Sequence, residues 1–273
     1  MPAENERMRR AYEEYQNTMK KIRENLLTIK NRVVVFSGKG GVGKTMFSIN
    51  LAYALSKFHD KKVGLLDADI TSPNIPKMLG LSGSIRAEND KLIPLTYKDV
   101  SIISTALMIK DEDALVWRGP LRSKLINQFL GETAWNVDVL VADLPPGTGD
   151  EVLTITQSMR PNIAIVVTTP QEVSIADARR AVVMAKKMNI KVIGVVENMS
   201  YLKCPSCGAK IDVFGSGGGV KVADEQSVEF FGALPLDVKA RAMTEESKIP
   251  VLEECDFSKE FQSVVVKILK FFD

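Results

Sequence analysis

Residues 36–45 read Phe36-Ser-Gly-Lys-Gly-Gly-Val-Gly-Lys-Thr45. The apolar run Val33-Val-Val-Phe36 leads into them, and an apolar-periodic segment starts at Met46. The order is strand, glycine-rich loop, helix. Gly38, Gly43, Lys44 and Thr45 fill the G-x-x-x-x-G-K-[ST] spacing of a phosphate-binding loop. Glycines let the backbone close around a polyphosphate. Successive N–H groups then point inward, and the helix begins with its positive dipole end at the phosphates. On this pattern the eight residues Gly38, Lys39, Gly40, Gly41, Val42, Gly43, Lys44 and Thr45 wrap ATP. Lys44 reaches the β- and γ-phosphate oxygens, and the Thr45 hydroxyl binds Mg²⁺. Lys39 is a second lysine, directly after the first glycine. One lysine is enough for a loop to hold its own nucleotide.

Outward from the loop, strand and helix patterns alternate. Val33–Ser37 reads as the first strand and Phe47–Phe58 as a helix. Lys62–Asp67 is the second strand, and residues 85–97 form a short hairpin turning at Glu88-Asn-Asp90. Val100–Thr105, Val137–Asp143, Ile163–Thr169, Val192–Glu197 and Phe231–Leu234 follow as strands. Leu121–Leu130 and Ser174–Lys187 are helices between them. Continuous Val/Ile/Leu strands alternating with helices predict an α/β fold, a mostly parallel doubly wound sheet with helices on both faces. Ligands in such sheets bind at the carboxyl ends of strands.

The flanks divide the 273 residues into a helical arm, 1–31, and a domain, 32–273. In the arm, Met8, Tyr12, Tyr15, Met19, Ile22, Leu26 and Ile29 recur at alternating spacings of four and three, close to a heptad stripe. The plain reading is an arm packed on its own domain or on a dimer mate; a membrane or regulatory role is the other. At the other end Phe257, Phe261, Val264, Val265, Ile268 and Phe272 make an amphipathic helix that docks on the sheet. Its polar face mixes acids and lysines, unlike the basic face of a membrane-surface helix.

Composition excludes several classes. Lys and Arg number 36 against 34 Asp and Glu, a net charge of +2. That supplies no basic field for bulk nucleic-acid binding. No apolar run approaches the ~18 residues of a membrane span. No signal-peptide pattern opens the chain and there are three cysteines, so a cytoplasmic protein without a disulfide framework is expected.

Three further segments carry chemistry. The second strand ends in Asp67-Ala-Asp69, two carboxylates near the phosphate loop. Mg²⁺ takes few carboxylates and keeps several waters. Asp67 is assigned to the Mg²⁺ shell and Asp69 to positioning the attacking water. The strand ending at Asp143 has the Walker B pattern, an aspartate that meets Mg²⁺ directly or through water. It runs into Leu144-Pro-Pro-Gly-Thr-Gly-Asp150, a loop suited to two arrangements set by the γ-phosphate. Lys203-Cys-Pro-Ser-Cys-Gly208, at 203–208, offers two thiolates to one ion. Zinc and iron–sulfur sites want four ligands. His59 is the one histidine and Cys255 lies far along the chain. The simplest completion is a homodimer in which Cys204 and Cys207 of each copy make a Cys₄ site on the axis, for [4Fe–4S] or for zinc.

The extra lysine resembles the deviant Walker A class that includes MinD, ParA and the nitrogenase iron protein. That resemblance implies that Lys39 crosses a dimer interface to the partner's nucleotide, and that Asn198 reads the adenine ring; a structural cap is the other reading of Asn198.

The whole set resembles the Mrp/ApbC family of iron–sulfur cluster carrier ATPases over residues 32–268. The resemblance is carried by Gly38–Thr45, Asp67–Pro76, Trp117-Arg-Gly-Pro120, Asp143–Asp150, Glu197-Asn-Met-Ser200, Cys204–Gly208 and Phe214-Gly-Ser-Gly-Gly-Gly219. It implies a homodimer and slow ATP hydrolysis. It also implies a labile [4Fe–4S] cluster passed to apo iron–sulfur proteins; the balanced charge and the mixed face of the C-terminal helix lead to the expectation of no nucleic-acid and no membrane partner. Residues 1–31 hold no cysteine, so the N-terminal cluster of eukaryotic relatives is not expected. A MinD/ParA-like positioning ATPase with a zinc-bridged dimer is the competing expectation.

Overall fold

Val33, Val35, Val63, Leu65, Val139, Val141, Ile163 and Ile165 are buried on one face of a central sheet; Val34, Phe36, Leu66, Leu140, Ala142, Ala164 and Val166 are buried on the other. Neither face sees water at these inner strands, so their central residues are apolar, and this is why those strand runs lack polar alternation. The computed structural model describes residues 2–108 and 119–273. Trp117 and Arg118, two residues of the resemblance, lie outside the described residues.

The elements run α1 (Pro2–Asn25), β1 (Asn31–Phe36), α2 (Lys44–His59), β2 (Val63–Asp67), α3 (Ile75–Met78), β3 (Arg86–Glu88), β4 (Lys91–Ile93), β5 (Leu95–Tyr97) and β6 (Val100–Ile103). They continue with α4 (Gly119–Glu132), β7 (Val139–Asp143), α5 (Asp150–Met159), β8 (Ile163–Thr168), α6 (Glu172–Lys187), β9 (Val192–Glu197) and the short β10 (Leu202–Lys203) and β11 (Lys210–Ile211). The chain closes with α7 (Gly218–Gln226), β12 (Glu229–Ala233), α8 (Val238–Glu245) and α9 (Asp256–Leu269). The main sheet has the order β12-β9-β8-β1-β7-β2-β6-β5. All its pairings are parallel except β5 with β6. This is the mostly parallel, two-faced sheet that the sequence predicts.

The edge differs in detail. The turn at Asn89-Asp90 forms, with both residues at positive φ, but its hairpin ends at Ile93 as a separate two-stranded sheet. Lys98 and Asp99 are also left-handed, at φ 44° and 66°. Two successive left-handed residues make the tight turn whose twist suits a hairpin, so Leu95–Tyr97 folds back onto β6. Lys-Asp carries no glycine, and the sequence therefore gave no turn signal there.

α2, α8 and α9 cover one face, and α9 docks as expected through Phe257, Phe261, Val264, Val265 and Ile268. α4, α5, α6, α7 and the far end of α1 cover the other. The arm's heptad stripe outruns the helix, which ends at Asn25, and splits in two. Ile22, Leu26 and Ile29 are buried in the core, while Met8, Tyr12 and Tyr15 stay exposed. Gly131 of α4 permits the approach, because a Cβ there would lie 3.1 Å from Ile22 Cγ1.

Candidate nucleotide and metal site

β1 sits between β7 and β8, and the chain next returns to the sheet at β2, beyond β7. The carboxyl end of β1 is thus a topological switch point, where open α/β sheets bind ligands. Residues 38–45 span it. Gly41 and Gly43 have φ of 81° and 85°, which only glycine adopts without strain. A Cβ on Gly43 would meet Asn198 Nδ2 at 2.3 Å, and one on Gly38 would meet the Asp177 backbone at 2.4 Å. The loop is therefore wedged between α6 and the end of β9. Its N–H groups lead into α2, whose 16 residues aim a positive dipole end at the same point.

Four groups converge on Asp143. Lys44 Nζ lies 2.9 Å from Oδ1 and is 7% exposed. Ser48 Oγ donates to Oδ1 at 2.7 Å and Thr45 Oγ1 donates to Oδ2 at 2.7 Å. Asp67 lies beside Asp143 in register on the adjacent strand. Its Oδ2 accepts from the Ile75 N–H and the Ser104 hydroxyl, while Oδ1 is buried with no protein partner. Burial first, and the neighbouring Asp143 second, push the Asp67 carboxyl up to about 8. A buried carboxylate with one unpartnered oxygen is the environment that a cation relieves.

Asp69 is half-buried. Its Oδ1 accepts from the Ser72 N–H, and burial pushes its carboxyl above the ordinary range. It lines a cleft of about 670 Å³ with Thr71, Arg122, Pro145, Gly149 and Glu151. Arg122 spans that cleft, donating to Thr71 Oγ1 at 2.9 Å and pairing with Glu151. The Pro-Pro-Gly loop is tied to the phosphate loop's root by the Gly147 N–H donating to the Ser37 carbonyl at 2.8 Å. Lys39 lies at the rim, its Nζ 3.4 Å from Gln171 Oε1.

Cys204 and Cys207 stand away from this cradle, on a loop between β10 and β11. Gly208, at φ 75°, turns the chain back, and its N–H donates to the Cys204 carbonyl. Backbone N–H groups of Cys207 and Ser206 aim at the Cys204 sulfur and hold its thiol below the ordinary range. Cys207 is exposed. Among the described residues no group of three or more His, Cys, Asp or Glu side chains is arranged to hold a metal. Cys255 is buried at the start of α9, and burial raises its thiol.

Residues 28–269 match the family model described as the NUBPL iron-transfer P-loop NTPase of the ParA group. The chain belongs to the iron-transfer P-loop NTPases. An iron-sulfur cluster carrier protein of Methanocaldococcus jannaschii is 48% identical over 256 residues, covering 92% of this chain and 88% of that protein. A nucleotide-binding protein of Archaeoglobus fulgidus, solved with ADP and cobalt, is 35% identical with a TM-score of 0.77, covering 89% of this chain and 96% of that one. The cell division protein MinD of Aquifex aeolicus has a TM-score of 0.63 at 24% identity, over 88% of this chain and 97% of that one, and shares the fold.

On this iron-transfer P-loop NTPase the sequence-predicted residues fall in two groups. Gly38–Thr45, Asp67, Asp69 and Asp143 gather at the carboxyl ends of β1, β2 and β7; Cys204 and Cys207 form a second, separate point. Asn198 lies just after β9, beside the phosphate loop. Its Nδ2 donates to the Val42 carbonyl at 2.9 Å and its side chain is buried. The carboxamide donor thus braces the phosphate loop. Sequence reasoning missed Ser48, Ser104 and Arg122. Ser48 alone carried a signal, since it follows Lys44 by four and shares its helical face.

Proposed function

We propose that two copies of this chain form an ATP-dependent iron–sulfur cluster carrier. Cys204 and Cys207 of each copy hold one [4Fe–4S] cluster, which passes to apo iron–sulfur proteins. The observation that carries this reading is the Cys204–Cys207 knuckle: two accessible cysteines, one with a lowered thiol, on the body of a P-loop NTPase. Thiolates are the ligands that such a cluster takes. The carrier names of the relatives point the same way.

Hydrolysis is an in-line attack of water on the γ-phosphorus, where positioning and positive charge do most of the catalysis. The loop N–H groups bind the phosphates. Lys44 exchanges Asp143 for phosphoryl oxygens and carries charge there. Asp69 orients the attacking water, and the partner's Lys39 adds the second cation, making the site composite. Thr45, Asp143 and the free oxygen of Asp67 fit a Mg²⁺ ion, which when bound supplies charge to the phosphate oxygens. Nucleotide in the cradle sets the geometry of the dimer and thereby the hold of Cys204 and Cys207 on the cluster.

Anaerobic reconstitution with iron and sulfide tests the reading. We expect about four iron per dimer, the Cys₄ stoichiometry of such a cluster, and transfer to an apo [4Fe–4S] protein. The visible absorbance vanishes in Cys204→Ala/Cys207→Ala. Tight stoichiometric zinc that resists iron overturns the carrier reading in favour of a zinc-bridged positioning ATPase.

A further inference from the structure

Glu197 is a carboxylate at the end of β9, 1% exposed, and the reaction outlined above does not use it. A buried carboxylate is costly unless donors surround it. Here the donors come from two places in the chain. Oε2 accepts the Gly219 N–H at 2.6 Å, and Oε1 accepts the Gly217 N–H at 3.2 Å and the Ser200 hydroxyl at 2.6 Å. Gly217 and Gly219 lie at the N-terminus of α7, where a negative charge is favoured. They are also the point at which the chain returns from the excursion bearing Cys204 and Cys207. The excursion leaves the body at Asn198–Tyr201, so Glu197 grips its return next to its departure.

The neighbouring residue completes a chain of contacts. Asn198 donates to the Val42 carbonyl inside the phosphate loop, and its own N–H is held by the Thr168 carbonyl. A Cβ on Gly219 would lie 2.8 Å from Glu197 Cβ, so α7 has no slack at this joint. Adjacent residues thus touch the nucleotide cradle on one side and both stems of the cysteine excursion on the other. We propose that Glu197 is a positioning residue that transmits the state of the phosphate loop to the Cys204–Cys207 site. This rests on the carrier reading above, in which nucleotide changes the hold on the cargo.

The substitution Glu197→Gln keeps the shape but turns one acceptor into an amide donor facing N–H groups. The test titrates the purified full-length protein with Co²⁺ alone, read by thiolate-to-cobalt absorbance, with and without a non-hydrolysable ATP analogue. In the unaltered protein we expect the nucleotide to shift the Co²⁺ midpoint by roughly tenfold, within the usual range of coupling between sites. In Glu197→Gln the shift falls to within about twofold, while Co²⁺ binding and analogue binding measured separately stay within about threefold. Those paired values separate coupling from a merely structural role. An undiminished shift in the variant overturns the assignment of Glu197. No shift in the unaltered protein overturns the carrier coupling itself. Should the variant fail to fold, hydrogen exchange of the unaltered protein decides. Protection of the Gly217 and Gly219 amides changes on analogue binding if Glu197 relays it, and unchanged protection overturns the proposal.

Discussion

Asp67 and Asp143 stand side by side, in register, at the carboxyl ends of the parallel strands β2 and β7. Two acids cannot share a buried site with both ionised at little cost. Lys44, Thr45 and Ser48 serve Asp143, and Asp67 is the one whose carboxyl is pushed up.

That shift has a sign for stability. Unfolded, Asp67 loses its proton near 3.8; folded, near 8. Between those values the folded chain binds more protons, so its stability falls as pH rises. In chelator, the melting temperature should drop between pH 5 and 8.5. Asp67→Asn should flatten this fall and melt a few degrees higher at pH 8.5; about 1 kcal/mol moves a domain this size by roughly 2–4 °C. Parallel curves for the two proteins would show that Asp67 does not titrate in that window.

Lys39 reaches sideways to Gln171 at the rim of its own cradle. Lys39→Ala should bind ATP normally yet hydrolyse it at least ~100-fold more slowly, the scale expected on removing a cation from a phosphoryl-transfer transition state. Single-turnover assays with separate binding titrations check this. Unaltered turnover would remove the trans-lysine reading.

Gly43 and Gly40 sit three residues apart but differ in tolerance. Gly43→Ala forces a left-handed alanine against Asn198 and should cost about 1–2 kcal/mol in backbone strain alone. A Cβ on Gly40 meets nothing within 4 Å. Gly40→Ala should leave the melting temperature unchanged within error. Thermal melts of both variants decide it.

Along α1, Ile22 is buried against Gly131 while Tyr12 is exposed. Ile22→Ala should cost about 2–4 kcal/mol, and Tyr12→Ala less than about 0.5 kcal/mol. Urea unfolding of the two variants checks the contrast. Equal losses would mean that the exposed half of the helix also carries stability.

The thiols should differ in reactivity. At neutral pH Cys204 has a larger thiolate fraction than an ordinary cysteine, because its thiol is lowered, and Cys255 a smaller one, because its thiol is raised. The thiolate is the nucleophile. Timed alkylation read by mass spectrometry should label Cys204 well before Cys255. The reverse order would contradict the backbone donors assigned to Cys204.

How far each element was legible depends on the range of its cause. The phosphate loop was legible because its requirements are local: glycine where φ is positive, lysine and threonine at the start of a helix. The two-faced sheet was legible because burial on both sides leaves no polar alternation in a strand. Lys98-Asp99 hid its turn, since its left-handed geometry is held by the β5–β6 pairing and not by a glycine.

The sequence by itself determined the nucleotide loop, the run of β–α units and the pair of cysteines three residues apart. The tertiary structure alone decided which residues share a point in space. It brought Ser48 to Asp143, Ser104 to Asp67, Arg122 across to Glu151, Asn198 beneath the phosphate loop and Glu197 onto the glycines beyond the cysteine pair. It also split the even heptad stripe of the N-terminal arm into a docked half and an exposed half. The physical reason is the same in each case. Periodicity and motif spacing report what the local backbone and one face of an element require; a hydrogen bond between distant residues, or the length of helix a body can cover, depends on crossovers that place strands side by side out of chain order.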